Sequence, residues 1–196
     1  MLDIHDMING SWVSGTHMAN RMQGSDFLSD FASFLVSVHN LKPEKGLLTL
    51  RKELEAFANL RPGKVFPALI NASSLKKDIV EGTDIFVVRE LTGGIYFGEP
   101  RYVKNVGGKR IGANNLIYNE DEIARVANIA FEIARKRKKK VTSLDKANVL
   151  EVMQLWRDVV TEVHKNNFQD VELEHLYIDN AAMQVIKRPS TFDVIL

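Results

Sequence analysis

From residue 84 to residue 196, short β-favouring apolar runs alternate with longer stretches whose apolar side chains recur at helical spacing. This alternation is what most constrains the fold. Residues 84–88 (DIFVV) read as a strand, and residues 120–138 as a helix with Ile123, Val126, Ala127, Ala130, Ile133 and Ala134 on one side. Residues 141–143 read as a short strand, after which Asp145 can open a helix whose face carries Val149, Leu150, Met153, Trp156, Val160 and Val163. Residues 171–178 and 192–196 read as two further strands. Elements in this order bury their apolar faces as a sheet covered by helices, so the expected class is α/β with a mixed sheet. Between them, residues 101–119 are polar and glycine-rich (Gly107, Gly108, Gly112), and β-favouring residues flank them, which predicts a protruding two-stranded arm.

Upstream, Phe27, Leu28, Phe31, Phe34, Leu35 and Val38 fall at helical spacing, with Asp26, Ser29, Asp30, Ser33 and Ser37 on the other positions. This predicts an amphipathic helix over residues 26–38. A turn-like stretch at 40–46, a second helix over about 47–58 and a Pro-bearing segment lead to the strand at 84. Residues 1–25 show no sustained period and read as linker or tag-like, leaving residues 26–196 as a single domain.

Composition narrows the classes of function. A net charge of +1 and 26% charged residues imply no bulk attraction to nucleic acid or to a membrane surface. No stretch approaches the roughly 20 apolar residues of a membrane span, and residues 1–20 lack a signal peptide's basic start and apolar middle. The absence of cysteine removes disulfides and thiolate metal sites and fits a reducing cytoplasm. Residues 135–140 are six consecutive cations, but they follow a helix and lack interleaved aromatics, so a solvated, dipole-favoured helix end is the better reading than a nucleic-acid platform.

Chemistry concentrates in two strings, RELTGGIYFGEPR (89–101) and TSLDKANVLE (142–151). Arg89 directly follows the apolar run 85–88, and Gly93 and Gly94 precede Tyr96. A guanidinium and a phenol thus emerge where a buried strand gives way to a flexible turn. That placement suits anion recognition followed by proton transfer.

These strings, with LLTLRKELEAFANLRP (47–62) and YIDNAAMQ (177–184), occur in the order found in the isocitrate/isopropylmalate dehydrogenase family of metal-dependent β-decarboxylating enzymes. The chain resembles that family from about residue 43 to 196. The ELTGGIYFG form is similar to its 3-isopropylmalate dehydrogenase branch, which serves leucine biosynthesis. The resemblance implies that Arg51, Arg61 and Arg89 hold the two carboxylates of a malate-type substrate, since arginine's planar fork binds carboxylate bidentately and stays charged. It implies that Leu47, Leu48 and Val149 meet the substrate's isopropyl group, although by periodicity alone each reads as core. Tyr96 and Lys146 would be the proton-transfer pair in an oxidation by NAD followed by decarboxylation, and Asn148 would approach the nicotinamide. Asp179 would be one oxygen ligand of Mg²⁺ or Mn²⁺, acting with Lys146 across a homodimer interface.

Two further ligands in the family lie on a helix after the strand that matches residues 192–196. Residues 26–35 (DFLSDFASFL) resemble that helix, with Asp26 and Asp30 four apart and therefore on one helical face, able to converge on one cation. Two solvated aspartates near a helix start are the alternative. The resemblance implies a circularly permuted substrate and dimerisation domain, its helices pairing with a second copy as a four-helix bundle that buries Phe27, Phe31, Phe34 and Trp156. The segments that cradle NAD in the family have no counterpart in this sequence, so the chain alone is expected to be inactive. A dimerisation scaffold with no ligand is the competing function.

Overall fold

The computed structural model describes Leu48, Arg51 and residues 54–196. The expectations for residues 26–38, including Asp26 and Asp30, and for Leu47 lie outside the described residues.

The strands are β1 (Ala58–Lys64), β2 (Asp84–Glu90), β3 (Tyr102–Val106), β4 (Lys109–Ala113), β5 (Lys140–Asp145), β6 (Glu172–Tyr177) and β7 (Val194–Ile195). The helices are α1 (Lys77–Val80), α2 (Glu120–Arg135), α3 (Glu151–Asn167) and α4 (Ile178–Lys187). Five strands form one sheet in the order β1-β2-β7-β5-β6. β1 runs antiparallel to β2, whereas β2, β7, β5 and β6 are mutually parallel. The sheet is mixed, as the alternation predicts. β3 and β4 pair only with each other, forming the expected arm, and nearly all of it is exposed.

One sheet face is closed by α2 and α3: Phe86, Val88, Val141, Val194 and Leu196 pack with Ile123, Val126, Phe131, Trp156 and Val160. Each such side chain contributes on the order of 1.5–3 kcal/mol when removed from water. The opposite face holds a smaller cluster of Ile85, Phe192 and Ile195, with Val185 of α4 packed against it. Asn119 starts α2 with a capping box, accepting from the Glu122 N–H at 2.9 Å while its own N–H donates to Glu122 Oε2 at 2.9 Å. No helix among the described residues is long and apolar enough to cross a membrane.

Several expectations are corrected. The helix predicted over 47–58 is over by Leu54 and Glu55, which form a turn with Glu55 at φ 48, and β1 occupies a stretch that its proline and glycine disguise. Pro62 is tolerated because β1 is an edge strand. Asp145 does not open α3: it ends β5, nearly fully buried, and the helix begins six residues later. Val149 and Leu150 consequently lie in a connecting turn, Val149 at 62% exposure, rather than on the core face. The strand predicted over 171–178 runs from Glu172 to Tyr177, and Ile178 instead opens α4. Trp156 is buried inside the chain between α2 and the sheet, so its cover is not a second subunit.

The cationic run is not a uniformly solvated face. α2 ends at Arg135, whose guanidinium forks onto Asp170 at 2.6–3.1 Å. Lys140 reaches Glu172 and Glu174 at 3.0 and 3.1 Å. Arg137 turns inward, donating to the buried Asp193 at 2.8 Å and to Asp84 at 2.7 Å, and thereby ties the end of α2 to the starts of β7 and β2.

Arg137→Met is expected to destabilise the protein by about 3 kcal/mol near neutral pH, because it leaves the Asp193 carboxylate buried and unpaired. The Asp84 carboxyl is held below its ordinary value by its hydrogen bond from Arg137. Its share of the stability is present above about pH 4, the unfolded value, and fades as pH falls through the depressed folded value. Chemical denaturation of both proteins across that range should show the gap narrowing on acidification.

Candidate active site

The parallel strands β2, β5 and β6 all end on one edge of the sheet, the edge where open α/β sheets place their ligands. Residues 89–96 leave β2 there, and residues 146–150 leave β5 there.

The β1–β2 register sets Asn59 opposite Arg89 and Arg61 opposite Val87. With a period of two along each strand, Arg61 and Arg89 therefore share one face as diagonal neighbours. Arg61 Nε donates to Asn59 Oδ1, and neither Arg61 nor Arg89 has an ion-pair partner among the described residues. Arg51 joins them: burial holds its guanidinium below the ordinary arginine value, and repulsion from Arg89 and Arg61 adds to the effect. The Arg89 guanidinium lies 5.6 Å from the centroid of the Tyr96 ring, within range of a cation–π contact. The structure thus brings Arg51, Arg61, Arg89 and Tyr96 together as an electropositive corner bearing one phenol. A dicarboxylate is the natural complement of such a corner.

The turn carrying Tyr96 is held from beneath by residues that motif order does not reveal. Glu90, 9% exposed, accepts from the Thr92 and Gly93 N–H groups at 2.9 and 3.0 Å, and Arg125 of α2 lies 3.6 Å from its carboxylate. Strand phase was the available signal, since Glu90 follows Phe86 and Val88 onto the core face. Tyr118 lies over Gly93 and Gly94, its ring 5.4 Å from that of Trp156. Burial, followed by the Glu90 and Glu122 carboxylates, pushes the Tyr118 hydroxyl up to about 12, so it stays protonated. Arg89, Tyr96, Tyr118, Leu144 and Trp156 are among the walls of a cleft of ≈ 300 Å³.

At the ends of β5 and β6, Lys146 Nζ donates to Asp179 Oδ1 at 2.6 Å. The hydrogen bond from Lys146 keeps the Asp179 carboxyl below its ordinary value, hence ionised. Asn148 and Val149 lie in the adjoining turn with Val149 exposed, and Leu48 is half-buried in a helical stretch. Asp179 is a hard oxygen donor exposed over 66% of its side chain, and so fits one position of a Mg²⁺ or Mn²⁺ shell. Among the described residues no group of three potential ligands gathers, so this part of the chain offers a metal that single carboxylate.

Residues 32–196 match the family model described as isocitrate/isopropylmalate dehydrogenase. The chain belongs to this family. It is 61% identical over 155 residues to the 3-isopropylmalate dehydrogenase of Aquifex aeolicus (strain VF5), covering 79% of this chain and 42% of that protein. To the 3-isopropylmalate dehydrogenase of Methylococcus capsulatus (strain Bath) it is 57% identical over 159 residues, or 81% of this chain and 44% of that one. Among solved structures it is similar to the isocitrate dehydrogenase of Methylococcus capsulatus, with a TM-score of 0.62 at 29% identity over 76% of this chain and 42% of that chain. It is also similar to the TT0538 protein of Thermus thermophilus, with a TM-score of 0.66 at 29% identity over 76% of this chain and 29% of that one. The chain spans less than half the length of the family relatives it matches.

Gly94 has φ +75, and a Cβ there would run into the Tyr118 hydroxyl; Gly107 has φ +57 with open space around it. Both alanine variants carry about 1–2 kcal/mol of left-handed backbone strain. Gly94→Ala must also displace Tyr118, so thermal unfolding should place it clearly below Gly107→Ala.

Proposed function

We propose that this chain is the substrate-binding, metal-binding and dimerisation domain of a 3-isopropylmalate dehydrogenase-like enzyme. The observation that carries the reading is the convergence of Arg51, Arg61 and Arg89 with Tyr96 on the sheet edge from which Lys146 and Asp179 also project. The three guanidinium groups bind and orient the carboxylates of 3-isopropylmalate. Leu47, Leu48 and Val149 offer apolar contact to its branched side chain. Lys146 Nζ, supplied with Asp179 across the dimer interface, and Tyr96 Oη are the groups that take and return protons, and Asn148 faces the nicotinamide. Asp26, Asp30 and Asp179 hold the metal. When bound, the divalent cation polarises the substrate's oxygens and NAD serves as the oxidant. We read residues 26–196 as one cytoplasmic domain, with the helix of residues 26–38 permuted to the front.

The dimer reading rests on surfaces that nothing in the described chain covers. α4 exposes Ile178, Met183 and Ile186 at 50, 52 and 59%, an apolar stripe at helical spacing. The arm exposes Val103 at 77%, and both its outer strand edges are open. α4 therefore replaces α3 as the helix offered to a second copy. Sedimentation of the protein should give twice the chain mass, and Met183→Lys with Ile186→Lys should return it to the monomer without unfolding it.

Calorimetry with Mg²⁺ and 3-isopropylmalate tests the site. Arg89→Met should weaken binding at least ~30-fold, the equivalent of about 2 kcal/mol for truncating one partner of a charge pair. Asp26→Ala with Asp30→Ala should abolish the dependence on metal. The chain by itself should not reduce NAD. A dimer that binds neither metal nor substrate would leave the scaffold reading in its place.

A further inference from the structure

Beneath Lys146 and Asp179 lies a second buried network that the substrate chemistry does not use. Asp145 and Tyr177 end β5 and β6 and are paired in register. Lys146 is the next residue after Asp145, and Asp179 is two residues after Tyr177. Whatever fixes these two strand ends also fixes the pair above them.

Arg157, in the second turn of α3, reaches both ends. It donates from Nε to Asp145 Oδ2 and from Nη2 to Asp145 Oδ1, each at 2.9 Å, and its guanidinium lies 5.0 Å from the Tyr177 ring centroid. The Asp145 side chain is wholly buried, and its Oδ1 also accepts from the Ala147 N–H at 3.0 Å, which bends the chain immediately after Lys146. His175 Nδ1 is 3.8 Å from the same carboxylate, while His175 Nε2 meets Thr161 Oγ1 at 3.0 Å. Burial and the Arg157 charge disfavour protonation of His175, so Arg157 is the cation that balances Asp145. A bidentate fork is what this geometry uses, and a lysine's point charge cannot reproduce it.

We propose that Arg157 is a positioning residue: by clasping Asp145 and covering Tyr177 it locks the ends of β5 and β6 so that Lys146 and Asp179 meet. The inference rests on the reading of Lys146 and Asp179 as working groups, but its test needs no ligand. The chain is labelled with ¹⁵N-lysine, and the Lys146 ammonium resonance is identified by its loss in Lys146→Arg. Its position without the Asp179 partner is fixed with Asp179→Asn.

Arg157→Met should move the Lys146 resonance toward its Asp179→Asn position while the other lysine resonances stay in place. Arg157→Lys should move it part of the way. A Lys146 resonance that keeps its wild-type position in whichever variant folds overturns the proposal, as does an equal displacement of all lysines, which would mark a merely structural role. A wild-type Lys146 resonance indifferent to Mg²⁺ plus 3-isopropylmalate would sink the functional reading while leaving the clasp standing.

Discussion

The candidate site depends on β7, a strand of only two residues. Its neighbours are the β1–β2 hairpin on one side and the β5–β6 pair on the other, and the described chain has no other hydrogen-bonded route between them within the sheet. The Phe86 N–H donates to the Asp193 carbonyl at 2.8 Å, the Leu196 N–H to that of Thr142 at 3.0 Å, and the Leu144 N–H to that of Leu196 at 2.8 Å. These bonds place the arginine corner and the lysine–aspartate pair on one edge of one sheet. So short a ladder has little stability of its own, and it relies on its surroundings. Val194 is completely buried, and Asp193 is fastened by Arg137 at the opposite edge.

The two edges handle charge differently. Where the parallel strands begin, cations meet acids: Arg135 with Asp170, Arg137 with Asp84 and Asp193, and Lys140 with Glu172 and Glu174. Where they end, Arg61 and Arg89 stand together on one face, and their charges add to the burial that lowers the proton affinity of Arg51. Crowding like charges costs stability, and a dianion bound among them would recover it. Paired charges fasten the edge where the strands begin, whereas at the other edge the arginine corner stands beside the paired Lys146–Asp179 and Arg157–Asp145.

Much of this was legible in the sequence, for physical reasons. The helical period of α2, the apolar run of β2 and the glycine-bounded arm each follow from local residue choice. β1 was hidden because Pro62 and Gly63 are poor strand residues that only an edge position tolerates. α4 was hidden because its exposed Ile178, Met183 and Ile186 blur the contrast between an inner and an outer face. Asp145 looked like a helix cap because the carboxylate that caps a helix is the same group that can be buried under an arginine twelve residues on. Motif order singled out Arg89, Tyr96 and Lys146 as candidates. The residues that hold them, Glu90, Tyr118 and Arg157, are long-range partners, and one sequence does not reveal who packs on whom.

The most direct test of the account is a backbone chemical-shift map of the protein with Mg²⁺ and 3-isopropylmalate. Shifts are predicted to be confined, among the described residues, to Leu48, Arg51, residues 59–61, 89–96, 116–118, 146–150 and 178–180, around the edge of the sheet where the parallel strands end. Shifts centred instead on residues 135–140 at the opposite edge, or the absence of any, would contradict it.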